Sequence, residues 1–159
     1  MNRNIKIFML ILFSIIILAG AAIFAVGSLS KDNKQQEVIR TDKEPIINRF
    51  PNIGDFEKCY WKSGVMGVGS RWVPGPSDYW MNGFIEIDAG KAEYLIEKYN
   101  MKPLNEDLQL AFIPENYNST ISKWFYSEEF NDFIKPPGVL GNFYVDGVNN
   151  MIYFEVVIS

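Results

Sequence analysis

The amino-acid sequence predicts an α+β fold: an N-terminal transmembrane helix followed by one small domain with a mostly antiparallel sheet and two short helices. Three observations predict it. Residues 7–30 contain no Asp, Glu, Lys or Arg. Several later stretches alternate apolar and polar side chains, and two others carry apolar residues at helical spacing. The 115 residues that follow residue 44 have the size of a single domain.

The uncharged run at 7–30 is long enough to cross a membrane. A helix of this length would extend about 36 Å, and the hydrocarbon core of a bilayer is roughly 30 Å thick. Arg3 and Lys6 precede the run, and no acid occurs among the first 30 residues. We therefore expect a cytoplasmic N-terminus at 1–6, a signal-anchor helix that contacts the lipid bilayer through 7–30, and a C-terminal part outside the cell membrane.

The same features also describe a secretory signal peptide, so cleavage stays an alternative. Ala25 and Gly27 form a small-residue pattern, and cleavage near Gly27 would give a secreted product. The run exceeds the 7–15 apolar residues usual for such signals, which favours an uncleaved anchor. A lipobox-like stretch at 17–21 carries Ala21 where a lipidated cysteine would stand.

The region after the anchor divides into a tether and a domain. Residues 31–44 hold four acids and four bases, which predicts a solvated tether. The extracytoplasmic α+β domain is predicted at 45–159, where Pro51 limits any helix near its start. Strands are predicted at 59–66 and 83–88.

The rest of the domain is predicted to be helical in two places. Ala92, Leu95 and Tyr99 share one face of a helix at 89–99, with Asp88 as its cap and Asn100 as its left-handed end. The second helical stretch falls within 120–134, and Ser127 within it resembles the N-cap of a new helix.

The remaining strands are predicted from alternation. One short strand is expected between 108 and 113. A hairpin is expected at 142–146 and 151–158, with its turn between these two strands and a buried face formed by Ile152, Phe154, Val156 and Ile158.

Composition excludes several classes of function. The chain has no histidine and one cysteine, so His-dependent catalysis, His metal sites and an intramolecular disulfide are excluded. Cys59 lies beside aromatics, as an inert buried thiol would. After residue 30, 13 bases and 19 acids give a net charge of −6, which argues against nucleic acid as a partner. No cofactor-binding motif and no metal-ligand spacing occurs.

The best candidate for a functional surface is the stretch 71–80. Two prolines stiffen it, and its aromatic and charged side chains suit a sugar or peptide ligand. The candidate ligand-binding residues are Arg71, Trp72, Asp78, Tyr79 and Trp80. The alternative is structural: both tryptophans belong to the core, and Arg71 pairs with Asp78 to fix the turn.

Carboxylates provide a second set of candidates. Glu86 and Asp88 lie on one predicted strand face about 7 Å apart, a spacing that could divide acid and base roles. The alternative is an ordinary solvated strand face. Asp146 and Gly147 faintly resemble a calcium loop, but they lack its spacing and are interpreted as turn residues.

The segment at 60–80, YWKSGVMGVGSRWVPGPSDYW, carries a resemblance together with the later WFYSEEF and IYFEV. It is similar to small uncharacterised exported or lipoprotein-like proteins of Gram-positive bacteria that share an R-x-x-P-G-P-[ST]-D-Y core. The resemblance covers residues 58–158 and implies an extracytoplasmic location, but no activity. Ala21 departs from the lipoprotein versions.

Three hypotheses follow for function. The first is a single-pass membrane protein whose outer domain binds a ligand or an envelope partner without catalysis. The second is a small hydrolase of envelope glycans that uses Asp78, Glu86 or Asp88. The third is an accessory subunit that contacts another membrane protein through Gly20, Ala21 and Ala22.

Overall fold

The computed structural model describes residues 38–66 and 78–159. The predicted cytoplasmic N-terminus 1–6, the predicted transmembrane helix 7–30 and most of the predicted tether lie outside the described residues. Within the described part, no helix is both long and apolar enough to cross a membrane.

Six strands form a single sheet in the part of the chain that is described. They are β1 Lys58–Val65, β2 Tyr79–Glu86, β3 Lys102–Pro103, β4 Trp124–Tyr126, β5 Val139–Asp146 and β6 Met151–Ile158. Their order across the sheet is β1-β2-β6-β5-β4-β3, and every neighbouring pair is antiparallel. The prediction of an α+β fold with a mostly antiparallel sheet is confirmed.

The described residues contain three α-helices, where the sequence predicts two. They are α1 Glu44–Arg49, α2 Ala89–Lys98 and α3 Glu128–Ile134. The additional helix, α1, has a proline in its first turn, Glu44 at its start and Arg49 in its last turn, all of which favour a short helix. It ends before Pro51, which begins a 3₁₀ turn.

Helix α2 begins and ends close to where the sequence places it, and α3 begins directly after Ser127, the predicted N-cap of a new helix. Asn100 follows α2 in the left-handed conformation with φ 45°. Asp88 occupies the N-cap position of α2 but makes no side-chain capping bond. Ser127 caps α3, and its hydroxyl oxygen accepts a hydrogen bond from Phe130 N at 3.4 Å.

Three of the sequence-based boundaries are wrong. The strand expected between 108 and 113 is a loop, although Leu108, Leu110 and Phe112 do pack inward. A loop that lies along a sheet buries alternate residues, so it gives the same pattern as a strand. Within the helical stretch predicted at 120–134, Trp124–Tyr126 form β4 and the α-helix occupies only Glu128–Ile134, and β2 begins at Tyr79 instead of residue 83.

The hairpin of β5 and β6 is confirmed. Its four predicted core residues are all buried on one face: Ile152, Phe154, Val156 and Ile158. Asp146 ends β5, and its Oδ1 accepts hydrogen bonds from Val148 N at 2.9 Å and Asn149 N at 3.2 Å. These bonds shape the turn, as the interpretation of Asp146 as a turn residue predicts.

The two faces of the sheet are covered differently. On the first face, called here the helix side, α1, α2 and α3 bury one continuous core. Within it, Phe50 packs against Phe143 and Phe154 with ring centroids 5.1 and 5.6 Å apart. On the opposite face, called the loop side, the covering loop at 104–123 packs over a smaller aromatic cluster.

Phe84 is the centre of that loop-side cluster. The rings of Phe112, Tyr117, Trp124 and Tyr153 lie 5.0–6.4 Å from its ring centroid. The sequence predicts a wetter face for Phe84, yet its exposed fraction is 0%. Both faces of the central strands are therefore buried at this point, because the covering loop packs over the face that the helices leave open.

Part of the predicted tether packs against the domain. Arg40 and Trp61 exchange two backbone hydrogen bonds of 2.8 and 2.9 Å at the outer edge of β1. The Arg40 guanidinium lies 4.1 Å from the centre of the Trp61 ring, and Lys43 Nζ donates to Phe56 O at 2.9 Å. The folded part of the chain therefore reaches at least to Arg40.

Candidate functional site

On the loop side, the register of the four long strands arranges side chains in three parallel rows. The aromatic row contains Tyr60, Phe84, Tyr153 and Tyr144. The polar row contains Lys62, Asn82, Glu155 and Asn142. The apolar row contains Gly64, Trp80, Val157 and Leu140. Adjacent rows are about 7 Å apart, since they lie two residues apart along each strand.

The covering loop ends at the aromatic row. Ala111 N donates a hydrogen bond to the Tyr153 hydroxyl at 3.2 Å, and the Tyr153 side chain is completely buried. Beyond this row, Glu155 is exposed and Leu140 is 67% exposed. Apart from Lys62 at the β1 end, the polar and apolar rows are partly or fully exposed among the described residues, and we call these two rows the open face.

Two concavities meet on the open face. The larger, of about 430 Å³, lies over the sheet between the two rows; its side-chain lining includes Trp80, Asn82, Leu140, Glu155 and Val157. The smaller, of about 320 Å³, lies between the sheet and the covering loop; its lining includes Glu106, Asp107, Leu108, Tyr144 and Glu155. Glu155 lines both concavities and so lies where they meet.

The centre of the polar row is rich in hydrogen-bond acceptors. Asn82 Oδ1 is buried and accepts no hydrogen bond from any described residue. Its cross-strand neighbour Glu155 receives one long bond, from the Tyr153 hydroxyl to Oε2 at 3.4 Å. At the β1 end of the row, Lys62 Nζ lies 5.0 Å from the centre of the Phe112 ring, under the covering loop.

The tyrosines beside Glu155 stay protonated at neutral pH. Burial, with the Glu155 charge as a further cause, raises the pKa of Tyr153 to about 12. Burial and then the Glu155 charge also raise the pKa of Tyr144. Both phenol groups therefore stay neutral beside the Glu155 side chain.

Trp80 lies across the glycine of its own row. A Cβ atom built on Gly64 would come within 2.7–2.8 Å of the Trp80 indole, so the ring lies directly against the β1 backbone. The glycine makes room for the indole, which covers a backbone position that has no side chain. This contact fixes the ring at the edge of the larger concavity.

The five candidate residues of the predicted surface do not share one location. Arg71 and Trp72 lie outside the described residues. Asp78 precedes β2, and its carbonyl accepts a bond from Met66 N at 2.9 Å. Tyr79 packs on the helix side, where the Arg49 guanidinium lies 4.3 Å from its ring centre, whereas Trp80 faces the open face.

The carboxylate candidates are placed separately from the concavities. Glu86 forms a 3.6 Å ion pair with Lys58 and accepts a 3.2 Å hydrogen bond from Asn116 Nδ2. Asp88 is exposed at the N-cap of α2. Neither residue lines the two concavities described above. Among the described residues, no group of three or more His, Cys, Asp or Glu side chains is arranged to hold a metal ion.

Asp146 is completely buried and has a structural role. Besides the turn amides, its carboxylate accepts bonds from the Tyr117 hydroxyl at 2.9 Å and Lys123 N at 3.2 Å, both in the covering loop. Asn149 Nδ2 donates a further bond at 2.7 Å. The carboxylate thus joins the covering loop to the β5–β6 turn.

Cys59 is buried on the helix side with 1% of its surface exposed. Its thiol donates to Asp42 O at 3.4 Å. Burial, followed by the nearby Asp42 charge, raises the pKa of the thiol to about 11. Because the thiolate is the reactive form, this environment suppresses nucleophilic chemistry at Cys59.

Comparison with known proteins returned no match: no family model matches this chain, and no curated protein or solved structure is significantly similar to it. The resemblance to exported Gram-positive proteins therefore stays a prediction.

Sequence reasoning did not single out the residues at the centre of the open face: Asn82, Asn142 and Glu155. One signal was available. Glu155 is the one charged residue in β6, whose other seven residues are apolar or aromatic, and Asn82 likewise interrupts a largely buried β2. A polar residue inside a central strand marks a place where one face of the sheet is solvated or binds something.

Proposed function

We propose that this protein is a single-pass, membrane-anchored extracytoplasmic protein whose α+β domain is a non-catalytic binding module. The anchor is the uncharged run at 7–30, with the short basic N-terminus in the cytoplasm. The open face of the sheet is the binding surface. A secreted form would result if the signal were cleaved near Gly27.

One observation carries this proposal. The covering loop buries the aromatic row of the loop side, whereas the next two rows are partly or fully exposed among the described residues, with Leu140 at 67% exposure. Concave surfaces with an apolar lining and a few polar groups are the usual form of binding sites. Leu140 is exposed, and Trp80 and Val157 beside it are partly exposed; burial of this apolar surface against another molecule would be favourable.

No observation favours the glycan hydrolase. Asp78 and Glu86 stand at opposite ends of β2, about 26 Å apart along an extended strand. Glu86 is engaged by Lys58 and Asn116, and Asp88 is exposed beside a helix start. A hydrolytic pair needs two carboxyl groups that face one substrate site.

Location is tested by fractionation of cells that carry the full chain with a C-terminal tag. We expect a membrane-bound product of full length that external protease degrades in intact cells. A full-length product protected from protease would contradict the proposed orientation. A shorter product in the medium, starting near Ser28, would replace the anchored form by the secreted one.

The binding surface is tested by photo-crosslinking in the same cells. A benzophenone amino acid replaces Leu140 on the open face or, as a matched control, Tyr94 on α2, which is 56% exposed on the helix side. We expect a discrete adduct from position 140 and none from position 94. Adducts from neither position, or from both equally, would contradict a binding role for the open face.

A further inference from the structure

The chemistry of the open face indicates what it binds, an inference that rests on the proposed binding function. We infer that the open face binds an extended polypeptide segment that presents a Lys or Arg side chain to Glu155 and an apolar side chain to Trp80. Three features of the described residues support this assignment: the acceptors, the charges and the spacing of the rows.

The first feature is the set of hydrogen-bond acceptors at the centre of the open face, Asn82 Oδ1 and the Glu155 carboxylate. Asn82 Oδ1 is buried and accepts no hydrogen bond from the described residues, and its neighbour Glu155 has one 3.4 Å bond from Tyr153. A buried acceptor without a partner is destabilising, because it has lost its hydrogen bonds to water. A ligand that donates several N–H bonds at this point removes that cost, and ammonium and guanidinium groups are donors only.

The charges around this point are negative. Glu106, Asp107 and Glu155 line the smaller concavity together with the Tyr144 ring. Carboxylates beside an aromatic ring attract a cation both by charge and by the electrons of the ring face. Lys62, the cation of the polar row, lies at the β1 end of the row with its Nζ 5.0 Å from the centre of the Phe112 ring.

The spacing of the rows matches an extended peptide. Successive side chains on one face of such a peptide are about 7 Å apart, which is also the distance between the polar and apolar rows. A basic side chain on Glu155 therefore places the residue two positions away over Trp80, Val157 and Leu140. This geometry sets the class of ligand: a basic residue separated from an apolar residue by one position.

The inference is tested by titrating fluorescein-labelled pentapeptides with the full-length chain in dodecyl maltoside, with fluorescence anisotropy as the measurement. The first peptide has the sequence leucine-serine-lysine-serine-leucine. Two matched peptides carry norleucine or glutamate in place of the lysine. We expect the lysine peptide to bind tightest, the norleucine peptide about tenfold more weakly, and the glutamate peptide more weakly still.

Two variants and one control assign the contacts. Glu155→Gln should weaken the lysine peptide about tenfold and change the norleucine peptide less than twofold. Trp80→Leu should weaken both peptides by a similar factor, because it removes the apolar contact. Glu129→Gln removes an exposed carboxylate on α3 and should change neither. The thermal midpoint of each variant establishes that it is folded.

Equal binding of the lysine and glutamate peptides would overturn the inference, as would unchanged lysine binding by Glu155→Gln. If Trp80→Leu still weakens binding in that case, the open face remains a binding surface and the cationic ligand is wrong. If no peptide binds but position 140 crosslinks to a glycan or lipid, the polypeptide ligand is also wrong. Absence of both peptide binding and crosslinks overturns the inference and the proposed function together.

Discussion

The helix side and the loop side of this sheet both bury side chains of the central strands, but different elements cover them. Three helices cover the helix side and satisfy their own backbone groups, so the core there can be continuous and apolar. The covering loop at 104–123 has no regular structure over most of its length. Its polar groups need other partners, and it covers only part of the face.

The buried carboxylate of Asp146 supplies several of those partners. It accepts bonds from Tyr117 and Lys123 in the loop as well as from the adjoining turn. Because the helix-side core is larger than the loop-side cluster, we expect the helix side to provide most of the stability. A binding surface next to a rigid sheet is well positioned, because the strands beneath it cannot move independently.

A second buried polar side chain, that of Asn131, protects part of one edge of the sheet from pairing with another strand. β4 pairs with only two residues of β5, and the buried Asn131 side chain continues the hydrogen-bond ladder beyond it. Asn131 Oδ1 accepts from Phe143 N at 2.8 Å, and its Nδ2 donates to Phe143 O at 3.0 Å. Lys135 Nζ donates a further hydrogen bond to Gly141 O. These bonds occupy backbone groups of β5 that could otherwise pair with a strand from another molecule.

The comparison predicts the largest loss of stability on the helix side. Phe154→Ala removes a ring with 0% exposure that packs between Phe50 and Phe143, so we expect a loss of about 3–5 kcal/mol in the free energy of unfolding. Chemical denaturation of the full chain measures it. A loss below about 1 kcal/mol would contradict the assignment of the main stability to this side.

Asp146→Ala should have the next largest effect and should act mainly on the loop side. It leaves the Tyr117 hydroxyl and several backbone amides without an acceptor, so we expect a loss of about 3 kcal/mol. Hydrogen exchange should increase first in the covering loop, before the amides of β2 and β6 exchange.

Two matched variants sharpen this prediction. Asp146→Asn retains one acceptor oxygen and should lose less than Asp146→Ala. Tyr117→Phe removes a single bond of 2.9 Å and should cost about 1 kcal/mol. Uniform faster exchange across both sides of the sheet in all three variants would show that the two sides do not open separately.

Alkaline pH should weaken the loop side next. The pKa of Tyr153 is raised to about 12 from 10.0 and that of Tyr117 is also raised, in both cases mainly by burial. A raised folded-state pKa gives stability that is complete below pH 10 and is lost as pH rises through the folded-state value. Each group then removes about 1.4 kcal/mol per pH unit.

Denaturant midpoints between pH 8 and pH 12 measure this loss. Cys59 on the helix side, with its pKa raised from 9.0 to about 11, should contribute from pH 9 upward. Cys59→Ala should therefore flatten the decline between pH 9 and pH 10, and Tyr153→Phe should flatten it above pH 10. A midpoint that does not change up to pH 11 would contradict the burial of these groups.

The smallest effect is expected on the open face. Leu140→Ser replaces an apolar residue that is 67% exposed, so the free energy of unfolding should change by less than about 0.5 kcal/mol. The matched control, Val145→Ser, lies in the same strand but is completely buried on the helix side, and it should lose several times more. Similar losses at the two positions would mean that the open face is covered in the full chain.

The spacing of apolar side chains correctly predicted those elements for which only one type of secondary structure explains the spacing. The stripe of Ala92, Leu95 and Tyr99 gave α2, and the alternation along β6 gave the last hairpin. It failed for Leu108, Leu110 and Phe112, where a loop lying on a sheet imitates a strand. It also missed α1, because six residues are too few for a periodic signal.

For the candidate site, Trp80 was identified from its residue type and neighbourhood, but the residues that meet it were not. Tyr79 and Trp80 are adjacent in the chain but point to opposite faces of β2. The prediction that they form one surface therefore fails, because neighbours along a strand do not share a face. Asn82 and Glu155 are far apart in the chain and become neighbours only through strand pairing.

Composition and local spacing are enough to establish that a long uncharged segment precedes an acidic, histidine-free region with a single thiol, and they predict strands and short helices in that region. Each of these properties follows either from composition or from the side-chain spacing within one element. Tertiary structure alone decided which face the covering loop occupies, where it ends, and which four side chains form the polar row. Strand order and register decide these points, and they depend on packing between elements far apart in the chain, which no local pattern encodes.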